Sequence, residues 1–196
     1  MSLYQFGQFV CRCVLSTFYK VRIVGKENIP EKGGVLLCAN HISNFDPPLL
    51  GAYIKRPVRY MAKKELFDKP VIGRLLNNLG AFPVKRGGGD KQSLRTALQI
   101  LKSGDIVGLF PEGTRSKNGE IGEGLAGAGF FAAKSDAYVV PCAIIGPYKK
   151  RKPVTLIYGK PIDMSSYREN RVSAKEITNL IMNEIQELKD HHLKSN

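Results

Sequence analysis

The chain has 196 residues, with 30 Lys and Arg against 17 Asp and Glu, a formal net charge of +13. A hydrophobic fraction of 43% beside 24% charged residues allows one buried core and excludes a disordered chain, which needs low hydrophobicity as well as high charge. The positive surplus calls for a polyanionic partner: nucleic acid, an anionic membrane or a phosphorylated substrate.

From Leu3 to Tyr19 the chain is rich in Leu, Val, Phe and Tyr, but Gln5, Gln8 and Arg12 interrupt it. A spanning helix takes roughly 20 mostly apolar residues, so this run is too polar to cross a membrane. Neither an early basic region nor a small-residue cleavage site marks a secretory signal. Wound as a helix, Leu3, Phe6, Phe9, Val10, Cys13, Leu15 and Phe18 cover a wide apolar face, with Arg12 and Lys20 near its edge. Two readings stay open: a helix lying in the membrane interface, or a terminal helix packed on the domain.

Beyond it, short apolar runs alternate with helical stretches. Val21–Val24, Val35–Ala39, Arg59–Ala62, Ala81–Val84, Ile106–Phe110, Val139–Ile144 and Val154–Tyr158 read as strands. A short helix opens at Asp46-Pro47-Pro48, since proline is tolerated in a first turn. Further helices are expected over Val71–Leu79, from an Asp90 cap to Lys102, and over Gly127–Lys134. The last helix begins at a Ser173/Glu176 capping box, with Ile177, Leu180, Ile181, Ile185 and Leu188 on one face. This alternation predicts an α/β fold, a single domain whose mixed, largely parallel sheet is flanked by helices. Ligands bind such sheets where the C-terminal ends of the strands feed into loops. His41, Lys63, Arg86 and Glu112 all fall just after strand-like runs.

Four cysteines, Cys11, Cys13, Cys38 and Cys142, form no C-x-x-C pair, and no histidine stands at zinc-ligand spacing beside them. They read as plain thiols in a reducing compartment, and no metal site is expected.

In Asn40-His41-Ile42-Ser43-Asn44-Phe45-Asp46, a histidine leaves a strand with a carboxylate five residues on. Imidazole is largely neutral at pH 7, and a carboxylate on Nδ1–H leaves Nε2 to accept a proton. Five residues place two side chains about 140° apart on a continuous helix, so the pair must meet across a loop that turns into one. Spacing alone equally fits a loop histidine bonded to a capping aspartate. Ser43 is no nucleophile here, because triad members converge from separate parts of the chain and no G-x-S-x-G elbow occurs.

Gly108 to Thr114 has P-loop glycine spacing, but Thr114 stands where the lysine belongs. The stretch Phe110-Pro111-Glu112-Gly113-Thr114-Arg115-Ser116 instead reads as a polar loop whose Arg115 can grip a phosphate through a bidentate fork. There Glu112 can bond a substrate hydroxyl or hold Arg115. Gly122, Gly124 and Gly127 satisfy G-x-G-x-x-G but follow a polar stretch rather than a strand, so they read as a flexible loop leading into a helix. Arg86 with Gly87–Gly89 can form an anion site or a surface turn, and Lys149–Lys152 is a solvated basic loop or a lipid-facing one.

These pieces together resemble the 1-acylglycerol-3-phosphate acyltransferases, a branch of the glycerolipid acyltransferases. His41 through Asp46 looks like the H-x4-D block of that family, Gly80–Arg86 like its second, Phe110–Ser116 like its third and Val140–Ala143 like its fourth. Tyr60–Leu66 resembles a common intervening stretch. Gly124-Leu125-Ala126-Gly127 departs from the Phe-Lys-Lys-Gly-like sequence that many members carry. The resemblance implies acyl transfer from acyl-CoA or acyl carrier protein to the 2-hydroxyl of 1-acylglycerol 3-phosphate (lysophosphatidic acid), yielding phosphatidic acid without a metal or cofactor. His41 would be the base, Asp46 its orienting partner and Lys63 a cation near the oxyanion. Arg86, Glu112, Gly113, Thr114 and Arg115 would surround the acceptor phosphate. Residues 1–20 then form a membrane-interface helix and 21–196 the catalytic domain, at the cytoplasmic face of a membrane, peripheral or monotopic. The competing readings are an acyltransferase acting on glycerol 3-phosphate or another lysolipid, and a non-catalytic basic protein bound to membrane or nucleic acid. No nucleic-acid motif or basic–aromatic interleaving supports the last, and nucleic acid is not an expected partner.

Overall fold

The computed structural model describes residues 2–85 and 90–195. The apolar runs form strands β1 (Lys20–Val24), β2 (Val35–Ala39), β3 (Val58–Lys63), β4 (Phe82–Val84), β5 (Ile106–Leu109), β6 (Tyr138–Ile145) and β7 (Pro153–Tyr158). They join one sheet in the order β1-β7-β6-β2-β5-β3-β4. Every neighbouring pair is parallel except β6 and β7, which run antiparallel, so the sheet is mixed and largely parallel.

Eight helices accompany the sheet among the described residues: α1 (Leu3–Phe18), α2 (Asp46–Ala52), α3 (Lys64–Phe67), α4 (Pro70–Asn78), α5 (Lys91–Lys102), α6 (Gly127–Lys134), α7 (Ser165–Glu169) and α8 (Ala174–Lys194). Asp90 and the Ser173/Glu176 box mark their helix starts as expected, and α4 begins one residue before the expected Val71, at Pro70. Helices α3 and α7 carry too few turns for a 3.6-residue period to stand out in the sequence.

Strand β2 shows how the layers form. All five of its residues are buried, as in a sheet covered on both faces. Successive side chains of a strand point to opposite faces. Leu36 and Cys38 accordingly join the core under α5, α6 and α8, while Val35, Leu37 and Ala39 join the one under α1 and α2.

Helix α1 has two distinct faces. Leu15 is buried, the Gln8 amide donates to the carbonyls of Gly51 (2.8 Å) and Ile54 (2.9 Å), and the Tyr4 hydroxyl accepts from the Val58 N–H at 2.8 Å. Leu3, Phe6, Phe9, Val10, Val14 and Phe18 remain exposed on the other side. Of the residues assigned to one wide apolar face, Leu15 therefore packs into the core while Leu3, Phe6, Phe9, Val10 and Phe18 stay exposed. The glycine stretch does lead into α6, but it is packed: Gly124 is buried, with room for no Cβ against Thr178 and Met182 of α8.

Five strands (β6, β2, β5, β3 and β4) share one direction, so their C-terminal ends line one edge of the sheet. Just past that edge, the buried Asn40 amide donates to the Ile144 carbonyl at 2.9 Å, and its oxygen accepts from the Ile144 N–H at 2.7 Å. This side chain ties the exit of β2 to β6 immediately before His41. Replacing Asn40 with Ala leaves two buried main-chain groups without this partner and should cost about 3 kcal/mol of stability, measured by urea unfolding.

Candidate active site

The residues that follow β2 turn sharply, because Ile42 and Ser43 direct their N–H groups at a single oxygen of Asp46. Asp46 Oδ2 accepts from Ile42 N at 2.6 Å and Ser43 N at 2.7 Å, and lies 2.7 Å from His41 Nδ1. Asp46 opens α2, followed by Pro47 and Pro48 in the first turn. The five-residue offset that a continuous helix would splay is thus closed by a turn. Asp46 is fully buried and His41 partly exposed, so the pair stands at the mouth of the site. A carboxylate only accepts hydrogen bonds, so Nδ1 donates to Asp46, and in the neutral imidazole the lone pair then sits on Nε2. Phe110 stacks on the imidazole, with ring centroids 4.2 Å apart and planes at 24°.

The other Asp46 oxygen, Oδ1, accepts from the Tyr148 hydroxyl at 2.7 Å. Burial, the neighbouring Asp46 charge and that hydrogen bond raise the Tyr148 phenol far above its ordinary range, so it remains a donor. Tyr148 belongs to no motif in the sequence. The Ser43 hydroxyl accepts from Phe45 N at 3.2 Å, in keeping with a turn residue.

Strand β5 neighbours β2, which brings the loop after Leu109 beside His41. One Glu112 oxygen accepts from the His41 N–H at 2.9 Å and the other from the Gly122 N–H at 3.3 Å. The Ser116 N–H then donates to the His41 carbonyl at 2.8 Å. The loop thereby holds the main chain of His41 from both sides. Gly113 turns it with φ 69°, a left-handed conformation that glycine adopts without strain. Thr114, Arg115 and Lys117 line an open cavity of ≈ 360 Å³ together with the carboxylates of Glu112, Glu120 and Glu123. Thr114 and Arg115 are exposed, their side chains available to a ligand in that cavity.

Lys63 ends β3 and is exposed. Since β3 lies two strands from β2, it stands roughly 10 Å along the edge from His41 by strand spacing. Arg86 and Gly87–Gly89 lie outside the described residues. At their margin, Asp90 Oδ2 accepts from Lys85 N at 2.9 Å and Asp90 Oδ1 from Ser93 N at 3.2 Å. The structure thus brings together His41, Asp46 and Glu112, with Gly113, Thr114 and Arg115 on the adjoining loop. Tyr148 is an addition that sequence motifs did not single out, and Asn40, which opens the first motif, gains a structural role there that its sequence did not assign.

The family model described as Acyltransferase matches residues 20–145, the span that holds every one of these motifs. The chain belongs to the Acyltransferase family. Among its relatives, a 1-acyl-sn-glycerol-3-phosphate acyltransferase of Bacillus subtilis is 36% identical over 172 residues, which cover 84% of this chain and 85% of that protein. The chloroplastic enzyme LPAT1 of Arabidopsis thaliana is 36% identical over 135 residues, 67% of this chain but 38% of that longer protein. The crystal structure of the LPA acyltransferase PlsC from Thermotoga maritima aligns with a TM-score of 0.76 over 95% of this chain and 80% of that one, at 24% identity, a likeness of fold. As an acyltransferase, the chain carries its histidine and aspartate at a strand-end mouth beside an arginine-bearing loop.

Proposed function

We propose that this acyltransferase acylates the 2-hydroxyl of 1-acylglycerol 3-phosphate, using acyl-CoA or acyl carrier protein as thioester donor and releasing phosphatidic acid. The observation that carries the reading is the His41–Asp46 pair, whose Nδ1 contact leaves Nε2 of a neutral imidazole to accept a proton, beside a loop on which Thr114 and Arg115 are exposed. Nε2 of His41 takes the acceptor proton while the hydroxyl oxygen attacks the thioester carbonyl. The buried Asp46 charge stabilises the imidazolium that forms. When the tetrahedral adduct collapses, the C–S bond breaks and the imidazolium returns its proton to the leaving thiolate. No protein nucleophile enters the sequence of steps. Arg115 and Thr114, with Gly113 in their turn and Arg86 from the second block, bind the acceptor phosphate. Glu112 serves that site by bonding the His41 and Gly122 N–H groups, since direct contact between its carboxylate and a phosphate would be repulsive. Lys63 supplies positive charge toward the developing oxyanion.

The same reading places residues 1–20 against an anionic membrane, where the lysolipid resides, on the cytoplasmic face as a peripheral or monotopic helix. Among the described residues no helix is long and apolar enough to cross a membrane. The apolar face of α1 is uncovered, with Phe9 53% exposed, and α4 also exposes apolar side chains, Val71 at 81% and Leu75 at 51%. A Cβ added to Gly7 of α1 would lie 3.2 Å from Leu79 at the end of α4, so the two helices touch. Exposed Lys69 and Arg74 flank the α4 residues, and Lys149–Lys152 adjoin the end of α1, the charge pattern suited to lipid phosphates.

Incubation with a thioester donor and 1-acylglycerol 3-phosphate should yield phosphatidic acid, identified by mass spectrometry. His41→Ala should lower turnover by ~10²–10⁴-fold with folding intact, and undiminished turnover would remove His41 as base. Arg115→Ala should raise the acceptor KM about tenfold with kcat little changed; an unaltered KM would exclude Arg115 from the phosphate site. Phe6→Asp/Phe9→Asp should release the protein from sedimenting vesicles that contain phosphatidylglycerol. Undiminished sedimentation would exclude this face of α1 as the contact.

A further inference from the structure

We propose that Tyr148 is a positioning residue for the catalytic pair, holding Asp46 through the oxygen that His41 does not use and tying that carboxylate to the end of α1. The inference rests on the reading of His41 as the base.

Tyr148 follows β6 by three residues and is 102 positions from Asp46 in sequence, yet its hydroxyl reaches Asp46 Oδ1 at 2.7 Å. Its ring is fixed by aromatic neighbours. Tyr19, the residue that caps α1, meets it edge-on at 5.3 Å and 87°, and Phe45, the residue before Asp46, lies 6.1 Å away. The main chain of the same segment is bonded to the end of α1. Arg151 N donates to the Phe18 carbonyl at 2.7 Å, and Lys20 N to the Lys152 carbonyl at 3.0 Å. A continuous set of contacts therefore runs from α1 through the 148–152 segment to Asp46 and on to His41.

The electrostatic consequence has a definite sign. A donor on Oδ1 withdraws charge from the carboxylate and so moderates its pull on the Nδ1 proton. Without that donor, the full charge of Asp46 favours the imidazolium, and His41 stays protonated to a higher pH. A base that is more often protonated is less often active, and its ring loses one constraint on its orientation. The remaining titratable groups in contact are Glu112, on the His41 N–H, and Tyr19, behind the Tyr148 ring.

Tyr148→Phe retains the ring and removes only the hydroxyl. The chain contains three histidines, so the His41 imidazole resonance can be assigned by its loss in His41→Ala and titrated by NMR without substrate. The expected result in Tyr148→Phe is a His41 titration moved to higher pH. The acid limb of kcat/KM should move with it, kcat should fall about tenfold, and the lysolipid KM should stay at its wild-type value. An unmoved His41 titration with unchanged kcat would overturn the proposal. If only Tyr148→Leu has an effect, and that effect is a lowered Tm, Tyr148 merely fills space and the proposal also fails. A wild-type protein that makes no phosphatidic acid would count against the substrate assignment, while the substrate-free titration would still decide the role of Tyr148.

Discussion

The buried carboxylate of Asp46 organises this molecule. A charge removed from water is costly unless donors replace its hydration, and here four do: the N–H groups of Ile42 and Ser43, the His41 imidazole and the Tyr148 hydroxyl. Those donors come from the exit of β2 and from the loop after β6, while the acceptor itself opens α2. One side chain thus sets the turn after β2, the entry of α2 and the orientation of the His41 imidazole. The parallel sheet makes this arrangement available, since strands that share a direction deliver their following loops to one edge.

A second layer of bonds holds the main chain around that carboxylate. Asn40 joins the exit of β2 to Ile144, and Glu112 and Ser116 bond the two main-chain polar groups of His41. The imidazole is held by Asp46 at one nitrogen and by Phe110 across its face. Such support restricts where a proton acceptor can sit, which matters because proton transfer requires hydrogen-bond reach between base and hydroxyl. The arginine-bearing loop is more open, with Thr114 and Arg115 exposed.

Much of this architecture was legible in the sequence. Strands buried on two faces need continuous apolar runs, so Val35–Ala39 and Val154–Tyr158 announced themselves, and Asp90 and Ser173 marked helix starts by their capping chemistry. The H-x4-D spacing was ambiguous by itself, and although Pro47-Pro48 pointed to a helix directly after a turn, the contact between His41 Nδ1 and Asp46 Oδ2 is a product of the folded turn. Helix α1 shows where periodicity falls short. Leu15 shares an apolar face with Phe6 and Phe9 by periodicity, yet it alone of the three points into the core, because the docked side is chosen by Tyr4, Gln8 and the carbonyls of Gly51 and Ile54. Glu112 was recognisable as a site residue by its motif, but its bonding to main-chain N–H groups was not.

By itself, the sequence determined the α/β class, the sheet-edge location of the site, the His41–Asp46 candidate pair and the four ordered blocks of the Acyltransferase family. All of these are written in local patterns: apolar period, capping residues and short spacings. The positive surplus left three kinds of partner open until those blocks were recognised. Only the tertiary structure decided which groups complete the site. Tyr148 reaches Asp46 across 102 residues and Asn40 reaches Ile144 across 104. Contacts of that range depend on which strands lie side by side, and the order of strands in a sheet leaves no periodic mark on the chain.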